Sequence, residues 1–190
     1  MNHLYWTAAG AGIWTLLEYF IHDFLGHRGH GKNPFGAEHI KHHATTHYFA
    51  PAWKKALAAG PVLLGVWGLL SLGLGAGAGS ACATGLAAMY VAYEIAHRRF
   101  HTCAPRGPFG RFLRRHHFHH HFHKPSSNFG VTSPVWDLVF GTYAEPGMIR
   151  VPEKHAMTWL LDPLTGEVGR LYADDYTLAR QSQMSLNTAR

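Results

Sequence analysis

Long apolar stretches alternate with polar, histidine-containing stretches along this chain. Three stretches are nearly free of charge: residues 4–21, 57–78 and 81–96. At a rise of about 1.5 Å per residue, each helix would cover most or all of a hydrocarbon layer about 30 Å thick. The pattern predicts three membrane-spanning helices. The alternative, three buried helices of a soluble bundle, is disfavoured because residues 57–78 lack the polar stripe that a soluble helix presents to water.

Basic residues are concentrated on one side of these predicted spans. Five lie between the first and second stretches and six lie within residues 98–115, just after the third, whereas residues 75–80 contain none. By the positive-inside rule, the first stretch ends at the cytoplasm, and the second and third form a hairpin out and back. The formal net charge of +6 does not indicate a nucleic-acid partner, since no aromatic-basic RNA motif or helix-turn-helix pattern accompanies it and anionic headgroups account for it.

The whole sequence fits a small all-α integral membrane protein, with about three transmembrane helices and a cytosolic helical cap. Residues 1–145 are predicted to form the membrane-embedded domain, and residues 146–190 a polar cytosolic extension that ends in a frayed tail. The start of the chain has no signal-peptide pattern, so we expect the first apolar stretch to be retained. Two cysteines cannot form a disulfide framework.

Histidine is the most informative residue type in this chain, because ten of its seventeen copies fall into four spaced groups. The groups are His22/His27, His39/His42/His43, His97/His101 and His117/His120/His121. Residues three and four apart share one face of a helix, so the members of the last three groups are predicted to point together. His22 and His27 are five apart and are expected to converge only if the helix ends between them, for which Gly26 offers a place.

Ten imidazoles are too many for one ion and about right for two. The cap is therefore predicted to carry a histidine-rich dimetal site.

Other interpretations of the polar residues stay open at this point. The run HHFHHHFH is also typical of a loose metal-sequestering tract, and His116 with His119 offers an alternative register for the last group. Isolated histidines such as His3, His30 and His155 are expected to be solvated surface. Four carboxylates lie near the histidine groups and are candidates to orient imidazole N–H groups, although salt bridges to arginines explain Asp23 and Asp137 equally well. The four are Glu18, Asp23, Glu94 and Asp137.

The ordered motifs HX4H, HX2HH, HX3H and HX2HH resemble those of the fatty acid hydroxylase superfamily, in particular its fatty acid 2-hydroxylase branch, with sterol desaturases as relatives. Three flanks strengthen the resemblance: WTLLEYFIH, MYVAYEIAH and FGVTSPVWDLVFGT. The likeness covers roughly residues 10–145.

Two positions depart from the family pattern, with Asp23 where a basic residue is usual and Ile40 where glycine is usual. The branch also commonly has four spans, and no cytochrome b5 domain is seen ahead of the first stretch.

The resemblance implies a membrane-bound enzyme that uses two non-haem iron ions and O2 to hydroxylate an unactivated C–H bond of a lipid. It implies that all ten motif histidines are the metal ligands and the catalytic set, with zinc as a substitute for iron. Electrons would come from a separate donor such as cytochrome b5 or a ferredoxin, because no flavin, haem or iron–sulfur motif is present. The site would face the cytoplasm, at the cytoplasmic membrane of a bacterium or the endoplasmic reticulum of a eukaryote. A lipid desaturase on the same scaffold and a membrane metal-binding or transport protein are the alternatives.

Overall fold

A computed structural model describes residues 2–180 of the chain. Six α-helices account for most of them, and they are listed here in chain order: α1 (His3–Phe20), α2 (Pro34–Ala44), α3 (Ala52–Leu74), α4 (Ala76–Thr102), α5 (Gly107–Phe122) and α6 (Val135–Phe140). A π-helical segment, Ile21–Arg28, continues α1. The mostly helical fold agrees with the all-α prediction, except that the structure adds one small sheet near the C-terminus.

Helices α1 and α4 approach closely through glycine. A Cβ atom on Gly10 would lie 1.9 Å from the carbonyl oxygen of Cys82, and one on Gly85 would lie 1.9 Å from that of Thr7. Only glycine permits this backbone contact, as at the small-residue interfaces of membrane helices. The crossing fixes α1 against α4, and each helix leads directly into a histidine group.

Helices α3 and α4 form the predicted hairpin, but its turn is tighter than expected. The chain reverses at Gly75 alone, whose φ of 81° is in the left-handed region. The turn lies at the start of the connection expected around residues 75–80, whereas the predicted end of the second stretch at residue 78 was wrong because α3 ends at Leu74. Helix α4 begins at Ala76 and continues past the apolar run to Thr102.

Among residues 2–180, α3 is the one helix that is long and apolar enough to cross a membrane by the usual criterion, and none of its apolar window is buried. Helices α1 and α4 fall short of that criterion. Of the three predicted spans, α3 is thus the one that this criterion supports. The number of spans and their orientation stay predictions.

The segment after α6 forms a small unit beneath α5. Strands β1 (Ile149–Pro152) and β2 (Tyr176–Ala179) pair in parallel, with Ile149 opposite Tyr176. Their side chains join a hydrophobic cluster that includes Phe118 and Leu113 of α5 and Phe100 of α4. This segment therefore packs against the back of the histidine-rich helix. Residues 181–190, at the end of the predicted frayed tail, lie outside the described residues.

Candidate metal centre

The π-helical segment brings the first histidine pair together. In a π-helix each N–H bonds to the carbonyl five residues earlier, and the bond from Gly29 N to Phe24 O, at 2.9 Å, has this spacing. Residues five apart therefore lie on one face, and the rings of His22 and His27 are 5.3 Å apart. The prediction that the helix ends at Gly26 was wrong, because the winding of the helix changes and the helix continues.

Gly26 allows the π-helical segment to pack closely against α2. A Cβ atom there would lie 3.1 Å from His39 Cδ2 and 3.5 Å from His22 Cδ2. The missing side chain allows His39 of α2 to lie directly against the π-helical segment.

The histidines of α2 and α5 do not all point together as predicted. Adjacent helical residues are about 100° apart around the axis, so His42 and His43 diverge. The same holds for His120 and His121. Each group of three is therefore divided between two neighbouring clusters.

Each of the two clusters contains five histidines with one ring nitrogen apiece within 4.8 Å of the others. The first cluster is His22, His27, His39, His43 and His120. The second cluster is His42, His97, His101, His117 and His121. They meet where the rings of His43 and His121 stack, with centroids 4.1 Å apart. All ten predicted histidines thus come together, and helices α2 and α5 contribute to both clusters.

Ring nitrogens within each cluster face one another at short distances. In the first cluster, His27 Nε2 lies 2.9 Å from His39 Nε2 and 3.0 Å from His120 Nε2. In the second, His101 Nε2 lies 2.9 Å from His117 Nε2. Facing lone pairs repel unless a proton or a cation lies between them. Separations of this size suit imidazoles that share an ion at about 2.0–2.1 Å.

Burial disfavours the charged, doubly protonated form of these rings. It lowers the pKa of His22 to about 3 and that of His43 to about 2, with neighbouring histidines adding to the effect. It also holds the pKa of His117 and His121 well below the usual range. These imidazoles are neutral at pH 7, which is the form that binds a metal ion.

Several buried ring nitrogens have no hydrogen-bond partner among the described residues. They include Nε2 of His22 and of His42 and both ring nitrogens of His121. An unsatisfied buried polar atom costs about 1–3 kcal/mol. Orphaned nitrogens, neutral rings and an all-nitrogen donor set together fit two metal ions, one in each cluster.

Backbone carbonyls orient three of the rings. The Nδ1 atom of His22 lies 2.5 Å from Phe129 O, that of His120 lies 2.7 Å from Ser127 O, and that of His42 lies 2.8 Å from Tyr48 O. An Nδ1–H that donates to a carbonyl leaves the Nε2 lone pair free for a metal. No sequence signal marks these carbonyls, since every residue has one.

The four candidate carboxylates make other contacts. Within residues 2–180, none of them hydrogen-bonds to any of the ten clustered histidines. Asp23 forms a two-point salt bridge with Arg28, at 2.7 and 2.8 Å, and Glu94 pairs with Lys55. Glu18 instead accepts from the backbone N–H and the hydroxyl of Thr132, both at 2.8 Å.

Some histidines outside the clusters also differ from expectation. His116 is fully buried and its Nε2 lies 3.1 Å from the carboxylate of Asp137. Neither His116 nor His119 belongs to a cluster, so the geometry favours the register with His117, His120 and His121. His3 and His30 are exposed as predicted, whereas His155 is half-buried.

The comparisons with known proteins agree with this arrangement. The family model described as fatty acid hydroxylase matches residues 7–142. A dihydroceramide fatty acyl 2-hydroxylase of Arabidopsis thaliana is 32% identical over 77% of this chain and 63% of its own length. The ceramide very long chain fatty acid hydroxylase of Saccharomyces cerevisiae is 36% identical over 72% of this chain and 37% of its own.

A solved structure described as full-length scs7p, with only the hydroxylase domain visible, is also similar. It has a TM-score of 0.61 and 31% identity, and the match covers 77% of this chain and 59% of that one. The chain thus spans less than two thirds of the length of each of these relatives. The family match covers well over half of the chain and includes all ten clustered histidines, so this protein belongs to the fatty acid hydroxylase family.

Proposed function

We propose that this chain is a membrane-bound non-haem diiron oxygenase that hydroxylates an unactivated C–H bond of a lipid. The observation that carries the proposal is the pair of adjacent, largely buried five-histidine clusters in a chain of this family. The named relatives act on fatty acyl or ceramide lipids, so we propose a fatty acyl chain, or a related apolar chain such as a sterol, as the substrate.

Two iron ions, when bound, would supply the reduction of O2 and the abstraction of hydrogen from the C–H bond. The first cluster would hold one ion and the second cluster the other. Zinc is expected to substitute in either, because availability decides which metal an imidazole site receives. The chain itself would keep the ten rings neutral, orient three of them through carbonyls, and exclude bulk water by burial.

The lipid is proposed to approach the first cluster along an apolar surface. Phe35 is exposed and its ring stacks on that of His39, with centroids 5.9 Å apart. Leu25 and Ile40 are also exposed close by in the chain. An apolar substrate would reach the site from the bilayer without crossing water, with the site at the cytoplasmic face and electrons arriving from a separate donor such as cytochrome b5 or a ferredoxin.

Neither alternative has an observation in its favour. Metal transport requires polar or ionisable groups within the spans, and α3 has no titratable side chain between Ala56 and Leu74. A desaturase would use the same clusters, so the reaction product has to separate it from a hydroxylase.

The test compares His43→Ala and His120→Ala with His47→Ala. His47 is exposed, belongs to neither cluster and lies three residues after the end of α2. We expect the first two variants to lose bound metal and turnover and His47→Ala to keep both. Mass spectrometry of lipids from cells supplied with 18O2 should show one labelled oxygen added per product. A loss of two hydrogens without label would indicate desaturation, and unchanged metal content in His43→Ala and His120→Ala would overturn the ligand assignment.

A further inference from the structure

The flank FGVTSPVWDLVFGT contributes no histidine to either cluster, yet it lies against the first one. Its first residue, Phe129, supplies the carbonyl next to Nδ1 of His22, and the preceding Ser127 supplies the carbonyl next to Nδ1 of His120. Both rings belong to the first cluster. One short loop, residues 127–130, therefore orients a histidine of the π-helical segment and a histidine of α5.

One buried carboxylate, that of Asp137, holds residues 129 and 130 of this loop, while Ser127 bonds to Lys124 O and the Asn128 side chain bonds to the backbone of Ala144. Asp137 has no exposed surface. Its Oδ1 accepts from Phe129 N and from the hydroxyl of Thr142, both at 2.8 Å. Its Oδ2 accepts from Gly130 N at 2.8 Å and faces Nε2 of His116 at 3.1 Å. Four donors thus converge on one carboxylate group, and two of them are backbone groups of the loop.

The loop is also tightly packed at Gly130. A Cβ on Gly130 would lie 2.0 Å from the carbonyl oxygen of Ser133 and 3.0 Å from Asp137 Oδ2. Burial by itself would raise the pKa of Asp137, but the bonds from His116, Gly130 and Thr142 hold that pKa below its usual value. The carboxylate is therefore ionised at neutral pH and able to accept from all four donors.

We infer that Asp137, held by His116, is a positioning residue for the first cluster: it fixes residues 129 and 130 of the loop whose carbonyls aim His22 and His120. The inference rests on the proposed metal centre. Within residues 2–180, the one ring of the second cluster that a backbone carbonyl orients is His42, which uses Tyr48 O and not the loop. Asp137 and the loop therefore position histidines of the first cluster.

The test measures zinc affinity of the purified full-length chain in detergent, by competition with a chromophoric chelator. Asp137→Asn is the main variant, because an amide replaces one carboxylate oxygen with an NH2 group that faces two donors. Asp175→Asn is the matched control. Its carboxylate is also buried and pairs with Arg111 and Arg115 on the far side of α5, away from the loop.

We expect the unaltered chain and Asp175→Asn each to bind two zinc ions, and each ion to bind to the variant as tightly as to the unaltered chain. Asp137→Asn should bind one of the two ions about 10- to 100-fold more weakly, the usual effect of losing an outer-shell partner. In 15N-histidine spectra of the zinc-loaded protein, the Nδ1–H signals of His22 and His120 should shift in this variant while that of His42 stays. If Asp137→Asn binds both ions as tightly as the control, the inference is overturned. If the unaltered chain does not bind two ions, the proposed function fails instead.

A second pair of variants applies if Asp137→Asn does not fold. His116→Gln keeps an N–H donor for Asp137, and His116→Phe removes it. We expect His116→Phe to weaken the same single ion and His116→Gln to retain it. Equal zinc affinities in the two variants would overturn the inference.

Discussion

Substitution of Gly10 by alanine is expected to force α1 and α4 apart. The new Cβ would lie 1.9 Å from Cys82 O, 2.8 Å from Cys82 C and 2.9 Å from Leu86 N. All three are backbone atoms, so no change of rotamer relieves the clash. Ordinary contact begins near 3.4 Å, so the two backbones would have to separate by about 1.5 Å at this point.

Overpacking of this kind costs about 1–3 kcal/mol, and the rigid neighbours place Gly10→Ala at the upper end. Alanine recovers about 0.5–1 kcal/mol because glycine is the poorer helix former. The net loss is therefore about 2 kcal/mol, which corresponds to a Tm about 4–8 °C lower for a chain of this size.

Gly12→Ala is the matched control on the same helix. No atom would lie within 4 Å of the Cβ that this substitution adds, so only the helix-propensity gain of up to about 1 kcal/mol remains. Thermal unfolding in detergent, followed by tryptophan fluorescence, should show opposite shifts for the two variants. A Gly10→Ala chain that melts at or above the temperature of the unaltered chain would refute the close crossing of α1 and α4.

Three further predictions concern the helices that carry the histidines. Gly26→Ala should weaken zinc binding at the proposed first metal site at a cost of about 1 kcal/mol, because its Cβ would press on His39. Unchanged zinc affinity would contradict this packing. Arg114→Met should destabilise the chain by about 2–3 kcal/mol, since its buried guanidinium donates to Arg99 O and Cys103 O at the end of α4; exposed Arg106→Met should be neutral in the same melting assay. A cysteine at Ala76 in a Cys103→Ser background should react only with an impermeant reagent added from outside; labelling from the cytoplasmic side would reverse the proposed orientation.

The sequence predicted the main helices well where an apolar run ends abruptly. Helix α1 spans His3–Phe20 against a predicted 4–21, because apolar residues run up to the first histidine. The bounds of α3 and α4 were less accurate. The run GAGAGS offers several equivalent places to turn, and only tertiary packing selects Gly75. The predicted third stretch stopped at its charged residues, although a helix continues into water when its polar side chains are solvated.

The positions of the ten clustered histidines were also predicted, whereas their division between two clusters was not. Spacing of three and four residues shows that side chains share a helix face. It does not show that His42 and His43 belong to different clusters, since that depends on where α4 and the π-helical segment lie. The π-helix had no local signal, and the Asp137 contacts join residues that no periodic pattern connects. The pairing of β1 with β2 is likewise a tertiary contact between distant segments.

The division of the histidines makes the two clusters depend on each other. Helices α2 and α5 give histidines to both clusters, whereas the π-helical segment serves only the first and α4 only the second. Neither cluster can form until α2 and α5 lie between the π-helical segment and α4. The crossing of α1 with α4 at Gly10 and Gly85 sets the distance between the π-helical segment and α4. Metal binding is folding free energy when the site does not exist in the unfolded chain. We therefore expect that an ion bound in one cluster would order the helices that the other cluster needs, and that a displacement of α1 against α4 would affect both clusters.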